Sequence, residues 1–344
     1  MSPKVELLEP AAAAVAAAMG VARRVRARFD PGHAIAKADT SPVTVADFAI
    51  QAIVAIALEE AAGAPPLLVG EESAAALRDP ARADELAAVV AAVREVHPDA
   101  GAARILAAID LGTHAGAHAD GFWTIDPVDG TKGFIRDAQY AIALGRIVHG
   151  EVVAAVLGCP NLGRPPFRPD DPHPSEGALF VAERGAGCWQ RRESAPGGSG
   201  RRVRRRPIDP ADEAVMCDSV SQGARTTARR AHLLEAGRVR FRSIGLDSQS
   251  KYAMVARGDG DIYLRLPRPT LPVESIWDHA AGTLVALEAG AAVSDLDGKP
   301  LDFGRGRSLR SNRGVVACAA ELHEAILRGA ATIDLDPFAV AGQG

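Results

Sequence analysis

The chain has 344 residues, of which 47% are hydrophobic and 24% charged, and its formal net charge is -4 at pH 7. That length fills one large domain or two ordinary ones, and the apolar share supports a sizeable core. So small a charge excludes general steering by nucleic acid or a membrane surface, so an anionic ligand must be drawn in locally, by metals or by a few placed cations.

An alanine-rich helix is expected over residues 5–29. Its apolar run has the look of a secretion signal, but alanine is only weakly hydrophobic, and Glu6 and Glu9 precede the run where a signal carries positive charge. No stretch is long and apolar enough to span a bilayer. A second helix, 48–62, places Ile50, Ile53, Val54, Ala57 and Leu58 on one face. A third, 79–97, turns Leu86, Val89, Val90 and Val93 inward, with Asp79 placed to cap it and Pro80 in its first turn. Apolar runs at 122–125, 140–148 and 151–157 read as strands, the last two joined by a turn at Gly150. Residues 160–212, rich in Pro, Gly and Arg, read as loops with one short strand at 178–183. The basic run at 201–206 reads as a solvated hairpin or insertion, since a nucleic-acid contact wants aromatic residues among the arginines.

Strand and helix then alternate, with strands at 239–243, 261–266, 291–294 and 314–318 and helices at 248–257, 278–289 and 320–328. The alternation predicts an α/β fold, an α+β layered sandwich, in two halves: an N-terminal half at 1–158 and a C-terminal half at 159–344. Cys159, Cys188, Cys217 and Cys318 form no C-x-x-C pair and stand at no zinc-ligand spacing with histidine. They read as free thiols in a reducing, cytoplasmic setting.

The acidic residues carry the chemistry. In W-T-I-D-P-V-D-G-T-K-G-F at 123–134, a strand runs into a turn where proline fixes φ and glycine permits a sharp reversal. Such a turn can aim Asp126, Asp129 and the Val128 carbonyl at one point, a set of hard oxygens suited to Mg²⁺; a β-turn with solvated aspartates fits the same letters. Glu71 and Glu72, in G-E-E-S at 70–73, follow the apolar run 67–69 and stand at the end of a strand, although such pairs also occur on surfaces. Asp278, in W-D-H-A-A-G at 277–282, stands at a helix N-terminus, where it can cap or ligate. His279 beside it reads as a packed or backing residue. In the stretch 37–47, Asp39 or Thr44 can serve a turn or a cap, and Asp47 begins the second helix.

In this order, these residues resemble the lithium-sensitive, magnesium-dependent phosphatase superfamily that includes inositol monophosphatase and fructose bisphosphatase. Within it they resemble the 3′(2′),5′-bisphosphate nucleotidase branch. The marks are S-P-V-T at 41–44, G-E-E-S at 70–73, D-P-V-D-G-T-K-G-F at 126–134, L-D-S-Q-S-K-Y at 246–252, Y-L-R-L-P at 263–267 and W-D-H-A-A-G at 277–282. The resemblance covers about residues 5–330 and implies the inositol-monophosphatase/fructose-bisphosphatase-like fold, with helix and sheet layers alternating in two halves and metals between them.

The resemblance further implies that Glu71, Asp126, Asp129, Asp278 and the carbonyl of Val128 hold two or three Mg²⁺ ions, with Asp126 bridging and Glu72 acting through water. Ions about 4 Å apart repel unless carboxylates neutralise them, and they supply an activated water and offset charge on the leaving oxygen. Asp47 and Thr131 match the catalytic pair, Thr131 contacting the attacking water and Asp47 accepting the proton through it. Gly130 lets a backbone N–H approach phosphate, and Thr131, Ser248, Lys251 and Arg265 complete the substrate side. Ser248 and Lys251, three apart on one expected helix, share a face. With Arg265 on the next strand, the cations suit a second, non-reacting phosphate.

The reaction implied is hydrolysis of 3′-phosphoadenosine 5′-phosphate to AMP and phosphate, a step of sulfur metabolism inhibited by lithium. One departure stands out: an E-x-x-H-S-x-H type segment of the nucleotidases is matched here by residues 217–223, which lack histidine. That bears on base recognition more than on phosphate chemistry, and an inositol phosphate or other sugar phosphate is the alternative substrate. A non-catalytic polyphosphate- or RNA-binding protein using residues 201–206 is the alternative class. The expected partner is a small phosphorylated metabolite, with neither nucleic acid nor membrane.

Overall fold

The computed structural model describes residues 6–28, 35–36, 42–43, 45–116, 121–168, 174–220, 223–267 and 273–333. The expectations for Asp39, Ser41 and Thr44, and for Ser221, lie outside those residues.

Two sheets and three helical layers alternate. The first sheet has seven strands in chain order: β3 (Leu68–Gly70), β4 (Phe122–Asp129), β5 (Ala141–Val148), β6 (Glu151–Cys159), β7 (Ala178–Glu183), β8 (Gly187–Arg192) and β9 (Arg201–Val203). β3 runs parallel to β4, and every later pair is antiparallel. A separate two-stranded ribbon pairs β1 (Ile35–Ala36) with β2 (Pro42–Val43). The second sheet orders as β11 (Phe241–Gly245), β10 (Ala214–Asp218), β12 (Ile262–Arg265), β14 (Val315–Ala319) and β13 (Ala291–Ser294).

Strand alternation explains the layering. On β5, Ile142 and Leu144 join the core beneath α1 (Leu8–Ala27) and α2 (Val45–Ala62), while Ala141 and Ala143 face the opposite core. That second core contains α7 (Ser250–Arg257) and α8 (Ala280–Glu288), and it reaches Val315 and Ala317 on the second sheet. α7 and α8 are therefore covered from both sides, and residues 280–286 are all buried. The far face of the second sheet, through Met216, Leu264 and Val316, packs on α6 (Ala224–Ala236) and α9 (Ala320–Thr332). Among the described residues no helix is long and apolar enough to cross a membrane.

The hairpin between β5 and β6 pairs Val148 with Glu151, and both His149 and Gly150 take positive φ, the twist-matched turn of a two-residue loop. The third helix begins later than its spacing predicts. Residues 80–82 form a 3₁₀ turn in which the Asp79 carboxylate accepts the Ala81 N–H at 2.9 Å, and α3 proper is Ala83–Arg94.

Elements absent from the sequence expectation are β1, β2, α4 (Ala102–Asp110), β8, β9, β10 and α6. β8 and β9 lie in the Arg-rich stretch at the sheet's margin, where charge on an edge strand discourages pairing with another chain and masks the alternation. The first sheet thus runs on through Val203, beyond the 158/159 division of the two expected halves.

Candidate active site

The D-P-V-D stretch is strand, not turn. β4 continues through Asp129, with a register shift between Asp126 and Asp129 opposite Ala143 and Ala141. A bulge there absorbs Pro127, which has no N–H for the ladder. The reversal falls on Gly130, at φ 87°, where a Cβ would come within 2.8 Å of Ser248 Cβ; only glycine combines that conformation with that approach. The short helix α5 (Thr131–Ile135) follows, and the Thr131 hydroxyl donates to the Val128 carbonyl at 3.3 Å.

Two groups of carboxylates form. Oxygens of Asp126, Asp129 and Asp278 lie within 4.8 Å of one another, as do those of Asp47, Glu71 and Glu72. α2 presents Asp47 and, one turn on, Gln51. The Gln51 amide donates to the carbonyls of Glu72 at 2.9 Å and Ile109 at 2.7 Å and accepts the Glu72 N–H at 3.1 Å, which fixes the end of β3 against the helix. Gln249 ties the other group together. Its N–H donates to the Asp129 carboxylate, its amide donates to the Trp277 carbonyl at 2.9 Å, and its amide oxygen accepts the Gly282 N–H at 3.1 Å. Arg307 spans both regions: it donates to the carbonyls of Gly70 at 2.6 Å and Gly112 at 2.8 Å while its guanidinium lies 4.8 Å from the Trp277 ring centre.

The electrostatics call for a cation. Burial, and then the charges of Glu71, Asp129, Asp278 and Asp47, push the Asp126 carboxyl well above the usual range. Burial followed by Asp129 pushes Asp278 up to about 8. Burial also raises Asp129, opposed by Lys251 and by the Gln249 N–H. One buried Asp126 oxygen, Oδ1, has no hydrogen-bond partner among the described residues. An all-oxygen donor set of this kind fits a small hard divalent cation.

Beside these carboxylates opens a cavity of about 220 Å³, lined by Gly130, Thr131, Ser248, Lys251, Arg265 and Asp278 among others. The expected substrate-side residues therefore do converge, although Ser248 is not helical. It stands at φ 72° ahead of α7, and it meets Lys251 through its carbonyl, 3.5 Å from Nζ, rather than across a helix face. Burial pushes the Lys251 amine down to about 8, against the pull of Asp129, and Nζ lies 5.3 Å from the Tyr263 ring centre.

His279 is wholly buried, with Nδ1 2.8 Å from the Tyr252 hydroxyl and Nε2 3.4 Å from Glu274, so both ring nitrogens are engaged. Sequence reasoning missed Glu274, Gln249 and Gln51. Glu274 and Gln249 lie beside recognisable motifs, but nothing in their spacing shows what they touch. Of the basic run, Arg205 turns inward, pairing with Asp261 and donating to the carbonyls of Val255 and Gly260 at 2.8 Å each.

The sequence pattern described as Inositol monophosphatase family matches residues 6–334. A Schizosaccharomyces pombe protein named 3′(2′),5′-bisphosphate nucleotidase is 37% identical over 309 residues, covering 87% of this chain and 86% of that protein. A protein of the same name from Oryza sativa is 38% identical, covering 85% and 84%. Among solved structures, a Thermotoga maritima IMPase matches with a TM-score of 0.61 at 18% identity, over 92% of this chain and 94% of that one. CysQ from Bacteroides thetaiotaomicron, described as a bacterial member of the inositol monophosphatase family, matches with a TM-score of 0.57 at 20% identity, over 92% and 98%. The two structures share the fold.

Proposed function

Because the chain belongs to the inositol monophosphatase family, we propose that it is a Mg²⁺-dependent phosphomonoesterase that hydrolyses 3′-phosphoadenosine 5′-phosphate to AMP and phosphate. The observation that carries the reading is the meeting of Asp126, Asp129 and Asp278 within 4.8 Å at the edge of a cavity that Lys251 and Arg265 also line. The names of the relatives from fission yeast and rice support the substrate.

Glu71, Asp126, Asp129, Asp278 and the Val128 carbonyl would hold two or three Mg²⁺ ions, with Glu72 reached through water. When bound, Mg²⁺ supplies a Lewis acid that acidifies a water and offsets charge on the leaving ester oxygen. The chain's own groups do the rest. Thr131 orients the attacking water, and Asp47, buried at the start of α2, takes its proton. The Gly130 turn brings backbone N–H groups toward the reacting phosphate. Ser248, Lys251 and Arg265 receive the nucleotide and its second phosphate. A cytoplasmic setting belongs to the same proposal, supported by four cysteines that are buried and unpaired.

The histidine-free segment at 217–223 favours one rival, an inositol phosphate or other sugar phosphate as substrate. Phosphate release from 3′-phosphoadenosine 5′-phosphate and from an inositol monophosphate, each with Mg²⁺, decides between them. The nucleotide should win by more than about tenfold in kcat/KM, roughly 1.4 kcal/mol. Turnover of the nucleotide no faster than by an Asp126→Asn control would overturn the proposal.

A further inference from the structure

Arg265 does not stand free in the cavity. Its Nε lies 3.0 Å from both carboxylate oxygens of Glu274, and Nη2 lies 2.8 Å from Oε2. A guanidinium carries five N–H donors in a rigid fork. Glu274 occupies the Nε/Nη2 edge, and Nη1 donates to no group among the described residues. The edge formed by Nη1 and the remaining Nη2 proton is the one still able to make a bidentate contact with an oxyanion.

Glu274 is itself held from two sides. Its carbonyl accepts the Leu309 N–H at 2.8 Å, and its carboxylate lies 3.4 Å from Nε2 of His279, which reaches Tyr252 through its other nitrogen. The alternative partners for Arg265 are close at hand, since Asp129 and Asp278 both feel its charge. Without Glu274 the guanidinium would be drawn toward the carboxylates reserved for the metal. With it, the Arg265–Glu274 pair is close to neutral and selects a ligand by hydrogen-bond geometry more than by net charge.

We propose that Glu274 is a positioning residue that sets the preference for a substrate with a second phosphate, by holding Arg265 so that its outer N–H edge faces the cavity; this rests on the nucleotidase reading above. A ligand carrying two phosphates uses that edge, and one carrying a single reacting phosphate does not.

The test compares kcat and KM for 3′-phosphoadenosine 5′-phosphate and for adenosine 3′-phosphate, with Mg²⁺, in the full chain and in Glu274→Gln, Glu274→Asp and Arg265→Lys. In Glu274→Gln the ratio of kcat/KM for the bisphosphate over the monophosphate should fall about tenfold, mostly through KM of the bisphosphate. Glu274→Asp keeps the charge but shortens the reach, so it should fall severalfold less; it carries the comparison should the Gln variant not fold. Adding Glu274→Gln to Arg265→Lys should lower the ratio no further. A ratio within about twofold of wild type in both Glu274 variants, or an equal fall in the Arg265→Lys background, overturns the inference. Failure of the wild-type chain to turn over the bisphosphate appears before any variant is compared; it removes the nucleotidase reading, and this inference with it.

Discussion

The two walls of the cavity treat charge in opposite ways. On one wall, carboxylates crowd together: Asp126 is buried and feels four others. On the other, the guanidinium that lines the cavity already has its partner, Arg265 with Glu274. The first wall is electrostatically incomplete until a cation arrives. The second is complete beforehand, and what it offers a ligand is donor geometry, with Lys251 as a reserve of charge. On the proposed function, affinity for metal and preference among phosphates would be built from separate materials and would respond to separate mutations.

Breaking the first wall gives the largest effect. Asp126→Asn should cut phosphate release by about 10³-fold or more, yet raise the melting temperature of the metal-free chain, because the buried side chain no longer has to take up a proton on folding. A variant that kept a tenth of wild-type turnover would put Asp126 outside the metal set.

The metal-free wall should also report itself through pH. The Asp278 carboxyl moves from an ordinary 3.8 up to about 8, and Asp126 moves the same way. Between those values the folded chain holds protons that the unfolded chain releases. This contribution to stability, on the order of a few kcal/mol, is complete below about pH 4 and is lost as pH rises to about 8. Melting curves with chelator across that range should fall with pH, and Mg²⁺ should flatten them; a flat profile without metal would contradict the crowding.

The seam between the walls gives a smaller effect. Gln249→Ala keeps the N–H that meets Asp129 but removes the side-chain bonds to Trp277 and Gly282 that hold it in place; it should cost about 1–3 kcal/mol of stability, with turnover lowered about tenfold as Asp129 loosens. Equal turnover at equal stability would mean that Asp129 needs no such brace. The smallest effect belongs far from both walls. Arg201→Ala and Arg202→Ala, on the exposed edge strand, should leave stability within about 0.5 kcal/mol and turnover within about twofold. A large loss there would bring the basic edge into function.

How much of this was legible depended on how local each signal is. The long helices α1 and α2 and the hairpin at Gly150 follow from periodicity and turn chemistry within a few residues, and they form close to where those patterns place them. β9 escaped because an edge strand needs little apolar alternation, and β8, paired on both sides, because its polar residues 190–192 mask the alternation. The carboxylates were legible because each stands in a recognisable motif, most of them at or near the end of an element. Glu274 was not, because its meaning lies in Arg265, nine residues away in the chain and brought to it only by folding. Ser248 was read as helical because nothing in its neighbours demands a left-handed residue. Its left-handed conformation goes with a contact distant in the chain, the close approach of the Gly130 turn.

Arg307 makes the order of synthesis matter. Its side chain fastens the carbonyl of Gly70, beside Glu71, and lies against Trp277, beside Asp278. As the chain leaves the ribosome, every carboxylate of the cluster emerges before this fastening residue does. The nascent protein thus carries its acidic side chains for some time without the clamp that aligns them, and on the proposed function stable capture of a divalent ion would be one of the last events of its maturation.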